Sequence, residues 1–302
     1  MKILITGSNG LLGQKLVELI TKEGEYELFA VARGENRLPS TLTGYTFVSL
    51  DITDRYALTT KVLEIKPDYI IHTAAMTNVD QCETEKDACW ELNVRATESL
   101  VEAARLTKAH LIHLSTDFIF DGTAGPYDEE AEANPLSFYG WSKLAAERMI
   151  FKSSAQIKWS IARTVLVYGI AHDMSRSNIV LWVKNSLEQN KNINLVQDQF
   201  RTPTLAEDLA IGCYLIVKNN AQGVYNISGE ELMTPHEMAI RTADYFNLDK
   251  SLIGVISSET LNQLAKRPPR TGFIIEKAKK DLGYKPHTFE EGIKVMMSQL
   301  KA

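Results

Sequence analysis

Tyr139 and Lys143 stand four residues apart in the segment SFYGWSKLAAE, a spacing that lets both side chains share one helix face. A phenol with an ordinary pKa near about 10 is a poor acid at neutral pH, but an ammonium beside it favours the phenolate and lowers that value. Tyr139 is therefore a candidate general acid. Thr116, where the apolar run from His113 stops at Ser115-Thr116-Asp117, supplies a hydroxyl that can hydrogen-bond the same carbonyl oxygen while the tyrosine protonates it. Such a pair also arises by chance on many helices, so the chemistry needs a source of hydride.

That source is indicated at the N-terminus. Lys2 to Thr6 is β-rich, GSNGLLG follows, and QKLVELITKEG then has a helical pattern closed by Gly24. Gly7, Gly10 and Gly13 permit a sharp turn, close approach of a pyrophosphate to backbone, and tight packing of helix on strand. The helix N-terminus then faces the phosphates, with Asn9, Leu11 and Leu12 as further cofactor candidates. A second strand, Leu28 to Val31, leads to Ala32-Arg33. An acidic residue there would favour a free ribose 2′-hydroxyl, whereas arginine favours a 2′-phosphate. Arg33, with Arg37 nearby, thus indicates NADP(H) in preference to NAD(H). A third strand, Tyr45 to Leu50, runs into Asp51-Ile52-Thr53-Asp54, which on its own reads as a helix cap. A fourth, Tyr69 to His72, ends in TAAMTNVD. Small residues there let a ligand approach the backbone, so Ala74, Ala75 and Thr77 join the cofactor set.

Around these motifs the chain has ordinary globular bounds. Its 302 residues suffice for two domains or one large α/β unit with an appendage. A net charge of -5 leaves no basic footprint for nucleic acid. Met1 leads straight into KILIT, and no apolar run approaches the ~18 residues of a membrane span, so a soluble, cytoplasmic protein without membrane partners is expected. Cys82, Cys89 and Cys213 show no CxxC spacing and the six histidines form no HxxxH pair, so no disulfide framework or metal site is expected. The β-α alternation through residue 170 predicts a doubly wound parallel sheet with helices on both faces. The expected division is 1–169 for the dinucleotide and 170–302 as a smaller α+β part closing over a cleft, with segments that may return to the first part.

The glycine spacing GxxGxxG together with YxxxK resembles the extended short-chain dehydrogenase/reductase superfamily. STDFIFDG followed by PYDEEAEANPLSFYGWSKLAAE is similar, over about forty residues, to the dTDP-4-dehydrorhamnose reductase family, whose members carry STDYVFDG, PY-E and NP-YG-SK-GE in that order. The resemblance implies NADPH-dependent reduction of the C4 ketone of a nucleotide-linked deoxysugar, with Thr116 in the usual serine's place and Lys143 orienting the nicotinamide ribose. It also implies that Asp51 and Ile52 border the adenine and that Asp117 and Phe118 border the sugar. Asn178 would lie near the nucleotide pyrophosphate, Arg267 would hold a nucleotide phosphate, and Asn93 reads as structural. Three positions depart from the family pattern: Phe118 replaces a tyrosine, Leu166 a tryptophan, and Arg201 a glycine.

Further along, the loop HDMSRSN precedes a helix IVLWVKNSLEQN, Thr204-x-x-Glu207 fits a capping box, and Thr234-Pro235 opens another helix. The helix after the central loop is expected from Ser142 onward, and the sixth strand over Trp159 to Val167. A homodimer is compatible with helix faces of this kind. Two other functions fit the same motifs. One is an NAD-dependent sugar-nucleotide epimerase or dehydratase, although Asp117-Phe118 after the threonine, where dehydratases carry Asp-Glu, argues against dehydration. The other is a non-catalytic regulatory subunit similar to the β subunit of methionine adenosyltransferase, since this fold persists without the activity.

Overall fold

The computed structural model describes residues 1–173, 178–261 and 263–300; residues 174–177 of the loop HDMSRSN lie outside the described residues. Seven strands form one sheet: β1 (Lys2–Thr6), β2 (Glu27–Ala32), β3 (Tyr45–Ser49), β4 (Tyr69–His72), β5 (His110–Thr116), β6 (Lys158–Thr164) and, later in the chain, Gly223–Asn226. All neighbours pair in parallel. Parallel sheets are covered on both faces, which is why β4 and β5 are buried throughout. The doubly wound sheet expected from the sequence is thus present.

Side chains alternate across the sheet. Ile3 and Ile5 pack with Leu16, Val17 and Ile20 of helix α1 (Leu11–Glu23). Leu4, between them, packs on the opposite face with Leu58 and Val62 of α2 (Arg55–Ile65). Two short helices, α3 (Val79–Thr84) and α4 (Lys86–Trp90), lead into a π-helical turn, Glu91–Arg95, and then α5 (Ala96–Thr107). β1 lies between β2 and β4, so the strand order reverses there. In such sheets ligands bind beyond the carboxyl ends at that switch point, and both Gly7 and the 73–77 segment follow those strand ends.

The central stretch departs from expectation at its edges. β5 begins at His110, upstream of His113. α6 (Phe138–Lys152) begins before Ser142 because Ser137 caps it, accepting from Gly140 N at 3.2 Å; Tyr139 therefore sits in the first helical turn. β6 stops at Thr164, and a separate strand β7 (Val167–Tyr168) pairs instead with a later one, Thr204–Leu205.

Past residue 170, α7 (Ile179–Glu188), β8 (Ile193–Val196) and β9 (Thr204–Leu205) precede α8 (Ala206–Lys218). Leu209 and Ile216 of α8 join the first sheet's core, and β10 (Gly223–Asn226) completes that sheet beside β6. The capping box at Thr204 does not form: α8 has no side-chain cap. Thr204 is buried in β9 with its hydroxyl near Thr164, and Glu207 pairs with Lys15 at 3.2 Å. α9 (Pro235–Phe246) does carry a capping box, between Thr234 and Glu237. β11 (Ile253–Ile256), α10 (Glu276–Leu282) and α11 (Phe289–Gln299) complete the chain. Lys15, buried on α1, reaches both Glu207 of α8 and Gln299 of α11 (3.2 and 2.9 Å), tying the C-terminal helix to the sheet. No helix among the described residues is long and apolar enough to cross a membrane.

Candidate active site

The β1–α1 turn leaves no room for side chains. Gly7 has φ +76°, and a Cβ on it would lie 2.7 Å from Ala74 N; a Cβ on Gly13 would lie 2.2 Å from the Gly7 carbonyl oxygen. Gly10 is the N-cap of α1 and offers no side-chain cap, so the helix N–H groups stay open to an anion. The buried Ser8 hydroxyl has no partner among the described residues. These residues fit a dinucleotide pyrophosphate. Leu11 and Leu12 are half-buried in the first turn, Ala74 and Ala75 are half-buried beyond β4, and Thr77 is exposed.

Asn9 holds the neighbouring loop. Its Nδ2 donates to the Glu35 carbonyl at 2.7 Å and its Oδ1 accepts from Arg37 N at 3.0 Å, which pins the loop carrying Arg33. Arg33 is exposed, with its guanidinium 3.6 Å from Asp51. Asp51 is not the helix cap; Asp54 caps α2 by accepting from Ala57 N. Hydrogen bonds from the Thr53 N–H and hydroxyl, and then Arg33, hold the Asp51 carboxyl below its usual range. Ile52 is buried in the core beside it.

Thr116 ends β5 and is buried, as are Tyr139 and Lys143 on α6. The Thr116 hydroxyl donates to the Asp117 carboxylate at 3.1 Å and faces Tyr139. Lys143 Nζ donates to the Leu114 carbonyl at 2.6 Å and lies 3.2 Å from His113 Nε2. Here the structure corrects the simple expectation of an ammonium lowering a phenol. Burial pushes the Tyr139 hydroxyl above its usual pKa, with Thr116 opposing and the Asp117 charge adding to the rise. Burial also lowers Lys143 to about 8. Both side chains share a helix face, but the longer one reaches the strand backbone beneath it, so desolvation outweighs their mutual field.

Beneath Lys143 lies a polar pair that spacing did not signal. His113 and His72 stack with ring centroids 5.3 Å apart. His72 contacts Thr6 at 2.7 Å and Thr97 at 3.2 Å. Burial first, and then the Lys143 charge, lowers His72 to about 3 and His113 well below its usual value, so both are neutral. Asn93, carried by the π-helical turn, is buried. It donates to Ser142 Oγ at 2.9 Å and accepts from Met76 N at 2.8 Å, while Ser142 donates to the Tyr139 carbonyl at 2.7 Å. The first turn of α6 is thereby braced.

The residues expected around the sugar divide. Asp117 is buried, and burial raises its pKa against the opposing Arg201 charge. Phe118 packs edge-on to Tyr139 at 5.7 Å. Asn178 caps α7, accepting from Leu181 N at 3.1 Å and donating to the Gly169 carbonyl at 2.7 Å. Arg267, expected at a phosphate, holds Asp80 through both Nη atoms at 3.2 and 2.7 Å. Its bonds to Asp80 keep that carboxyl below the usual range. Thr116, Asp117, Phe118, Tyr139 and Lys143 thus form one cluster, whereas Asn178 and Arg267 have intramolecular partners of their own. Arg201 and Thr271, which reasoning from residue types did not place here, belong to the cluster through Asp117. The one sign of Arg201 in the sequence was its departure from the pattern that the family resemblance implied.

Comparison with known proteins agrees with this geometry. A dTDP-4-dehydrorhamnose reductase from Aggregatibacter actinomycetemcomitans is 31% identical over 306 residues, covering 97% of each chain. Methionine adenosyltransferase 2 subunit beta from Xenopus laevis is 32% identical over 263 residues, covering 85% of this chain and 76% of that one. Among solved structures, the dTDP-4-dehydrorhamnose reductase from Bacillus anthracis in complex with NADP superposes with a TM-score of 0.85 at 28% identity, covering 99% of this chain and 100% of that one. The expected kinship with the dTDP-4-dehydrorhamnose reductase family is borne out. With the family model described as RmlD substrate binding domain matching residues 1–302, end to end over both the glycine turn and the Thr116–Tyr139–Lys143 cluster, the chain belongs to that family.

Proposed function

We propose that the protein is an oxidoreductase that reduces the C4 ketone of a nucleotide-linked deoxysugar, with NADP(H) preferred over NAD(H). The observation that carries the reading is the gathering of Thr116, Tyr139 and Lys143 in one buried cluster on β5 and α6, in a sheet whose switch point carries the glycine turn. Bound nicotinamide cofactor supplies the hydride. Tyr139 gives its hydroxyl proton to the ketone oxygen as that oxygen gains charge, and the Thr116 hydroxyl hydrogen-bonds the same oxygen. A phenol whose pKa is raised by burial keeps its proton until the developing alkoxide, a stronger base, draws it away. Lys143, anchored on the Leu114 carbonyl, orients the nicotinamide ribose and compensates charge left on the tyrosine.

In this reading Gly7, Asn9, Gly10, Leu11, Leu12, Gly13, Arg33, Asp51, Ile52, Ala74, Ala75 and Thr77 surround the cofactor. Asp117 and Phe118 border the sugar, and Asn178 and Arg267 line the nucleotide side. Residues 1–169 form the cofactor part and 170–302 the sugar-nucleotide part, with α8 and β10 returning to the first sheet. The exposed Arg33, on a loop pinned by Asn9, supports NADP(H), as does the NADP bound to the Bacillus anthracis relative. A cytoplasmic homodimer acting on a free small molecule belongs to the same proposal. The regulatory-subunit reading is not favoured, because Thr116, Tyr139 and Lys143 are all present and gathered together.

The test is to mix the protein, NADPH and dTDP-4-keto-6-deoxy-L-lyxo-hexose and follow NADPH absorbance. Oxidation coupled to formation of the 4-hydroxy sugar is expected. No oxidation with this or a panel of related 4-ketosugars would defeat the reading.

A further inference from the structure

We propose that Arg201 is a positioning residue of the reaction, its buried guanidinium orienting the Asp117 carboxylate and, through it, the Thr116 hydroxyl that faces Tyr139. The catalytic half of this inference rests on the reductase reading above. Arg201 follows β8, and its backbone is fixed in both directions by Met233, with N–O distances of 2.9 and 2.8 Å. Its side chain is 5% exposed. Nη1 donates to the Phe200 carbonyl at 2.7 Å and Nη2 to the Pro268 carbonyl at 2.8 Å, while Nε lies 3.7 Å from Asp117 Oδ2. A planar guanidinium with that many fixed partners has one orientation. Its carbon also lies 5.9 Å from the centre of the Phe118 ring, which packs against Tyr139.

Asp117 passes this order on. Its Oδ2 accepts from the Thr271 hydroxyl and faces Arg201, which leaves Oδ1 to Thr116. A hydroxyl has one hydrogen to give, and in the free protein Asp117 Oδ1 takes it; the carboxylate's direction therefore sets where the Thr116 oxygen sits beside Tyr139, and the hydrogen turns from Oδ1 to the ketone oxygen when substrate binds. Burying a carboxylate this deeply is costly unless a partner compensates it. The groups that face it are Thr116, Thr271, Tyr139 and Arg201, and of these Arg201 alone carries positive charge; Arg267 acts on Arg201.

The experiment compares Arg201→Met, Arg201→Lys, Asp117→Asn and the Arg201→Met/Asp117→Asn double variant in two measurements. The first is the thermal midpoint of each protein without substrate, between about pH 4 and pH 8. Without Arg201 the folded-state pKa of Asp117 rises further above its unfolded value of about 3.9. A carboxyl with a raised folded pKa loses stability as pH climbs, so the gap between Arg201→Met and the wild type should widen from pH 4 towards neutral. Asp117→Asn in the same background should erase that widening. The second is steady-state reduction of the ketosugar. Arg201→Met should lower kcat by about tenfold or more and move the acid limb of the pH profile upwards, with KM for NADPH within about twofold; Arg201→Lys should recover most of the rate.

A gap that is flat with pH, or a double variant as pH-dependent as Arg201→Met, would overturn the pairing. An unchanged kcat, or a loss that falls equally on NADPH binding, would overturn the positioning role. A wild-type protein inert towards every 4-ketosugar would instead defeat the reductase reading and the catalytic half with it, and the thermal measurement would still decide whether Arg201 holds Asp117.

Discussion

Lys143 donates to the Leu114 carbonyl at 2.6 Å, two residues before Thr116, while Tyr139, one turn earlier on the same helix, faces Thr116 itself. Lys143 therefore fastens helix α6 to β5 beside the strand end. The strand-end hydroxyl and the phenol are registered against each other by the fold, before any ligand takes part.

The buried ammonium makes Lys143 a pH-dependent element. Its folded pKa, about 8, lies below the ordinary value of a lysine, so the stability it contributes is present above the unfolded pKa and lost as pH falls through about 8. Replacing it with methionine removes that cost. The thermal midpoint of Lys143→Met relative to the wild type should therefore be higher at pH 7 than at pH 10, measured by calorimetry at matched ionic strength. With the wild type, kcat/KM for the ketosugar should fall above about pH 8 as the ammonium deprotonates.

Tyr139→Phe removes the proposed proton donor and little volume. Turnover should drop by about a hundredfold or more, the range lost with a general acid, while NADPH still binds. Thr116→Val should cost less, about tenfold to a hundredfold, because one hydrogen bond to the oxygen is lost and the acid remains. Single-turnover rates together with NADPH fluorescence titration separate the two effects.

Arg33 should govern the choice of cofactor. Arg33→Ser should raise KM for NADPH about tenfold and leave NADH within about twofold, as expected when a charge-assisted contact to one phosphate is removed. Equal losses with both cofactors would assign Arg33 to the surface alone.

The turn itself is sterically closed. Gly13→Ala would set a methyl 2.2 Å from the Gly7 carbonyl oxygen and 2.7 Å from Ser8 Cα, both backbone atoms with no easy retreat. It should lower stability by about 1–3 kcal/mol, the usual cost of overpacking, and weaken NADPH binding with it. Chemical denaturation and fluorescence titration of the same variant check both.

Much of this protein is legible in its residues taken alone. Lys2–Thr6 with Gly7, Gly10 and Gly13, the buried run of β4, and Tyr139 with Lys143 are local patterns, whose meaning lies in period, spacing and the small size of glycine. They are enough to predict a doubly wound sheet, a dinucleotide turn and a proton donor. Partners distant in sequence were not legible, because no spacing rule links them. Arg267 turns to Asp80, 187 positions away, and Thr271 joins Asp117 across 154. Lys143 finds Leu114 rather than the phenol. Which atom a buried charge satisfies depends on what the packed chain brings within about 3 Å of it, at a point where desolvation makes every unpaired group costly. Residue order alone identified the chemical groups; packing settled their pairing, and pairing is what sets their ionisation and their aim.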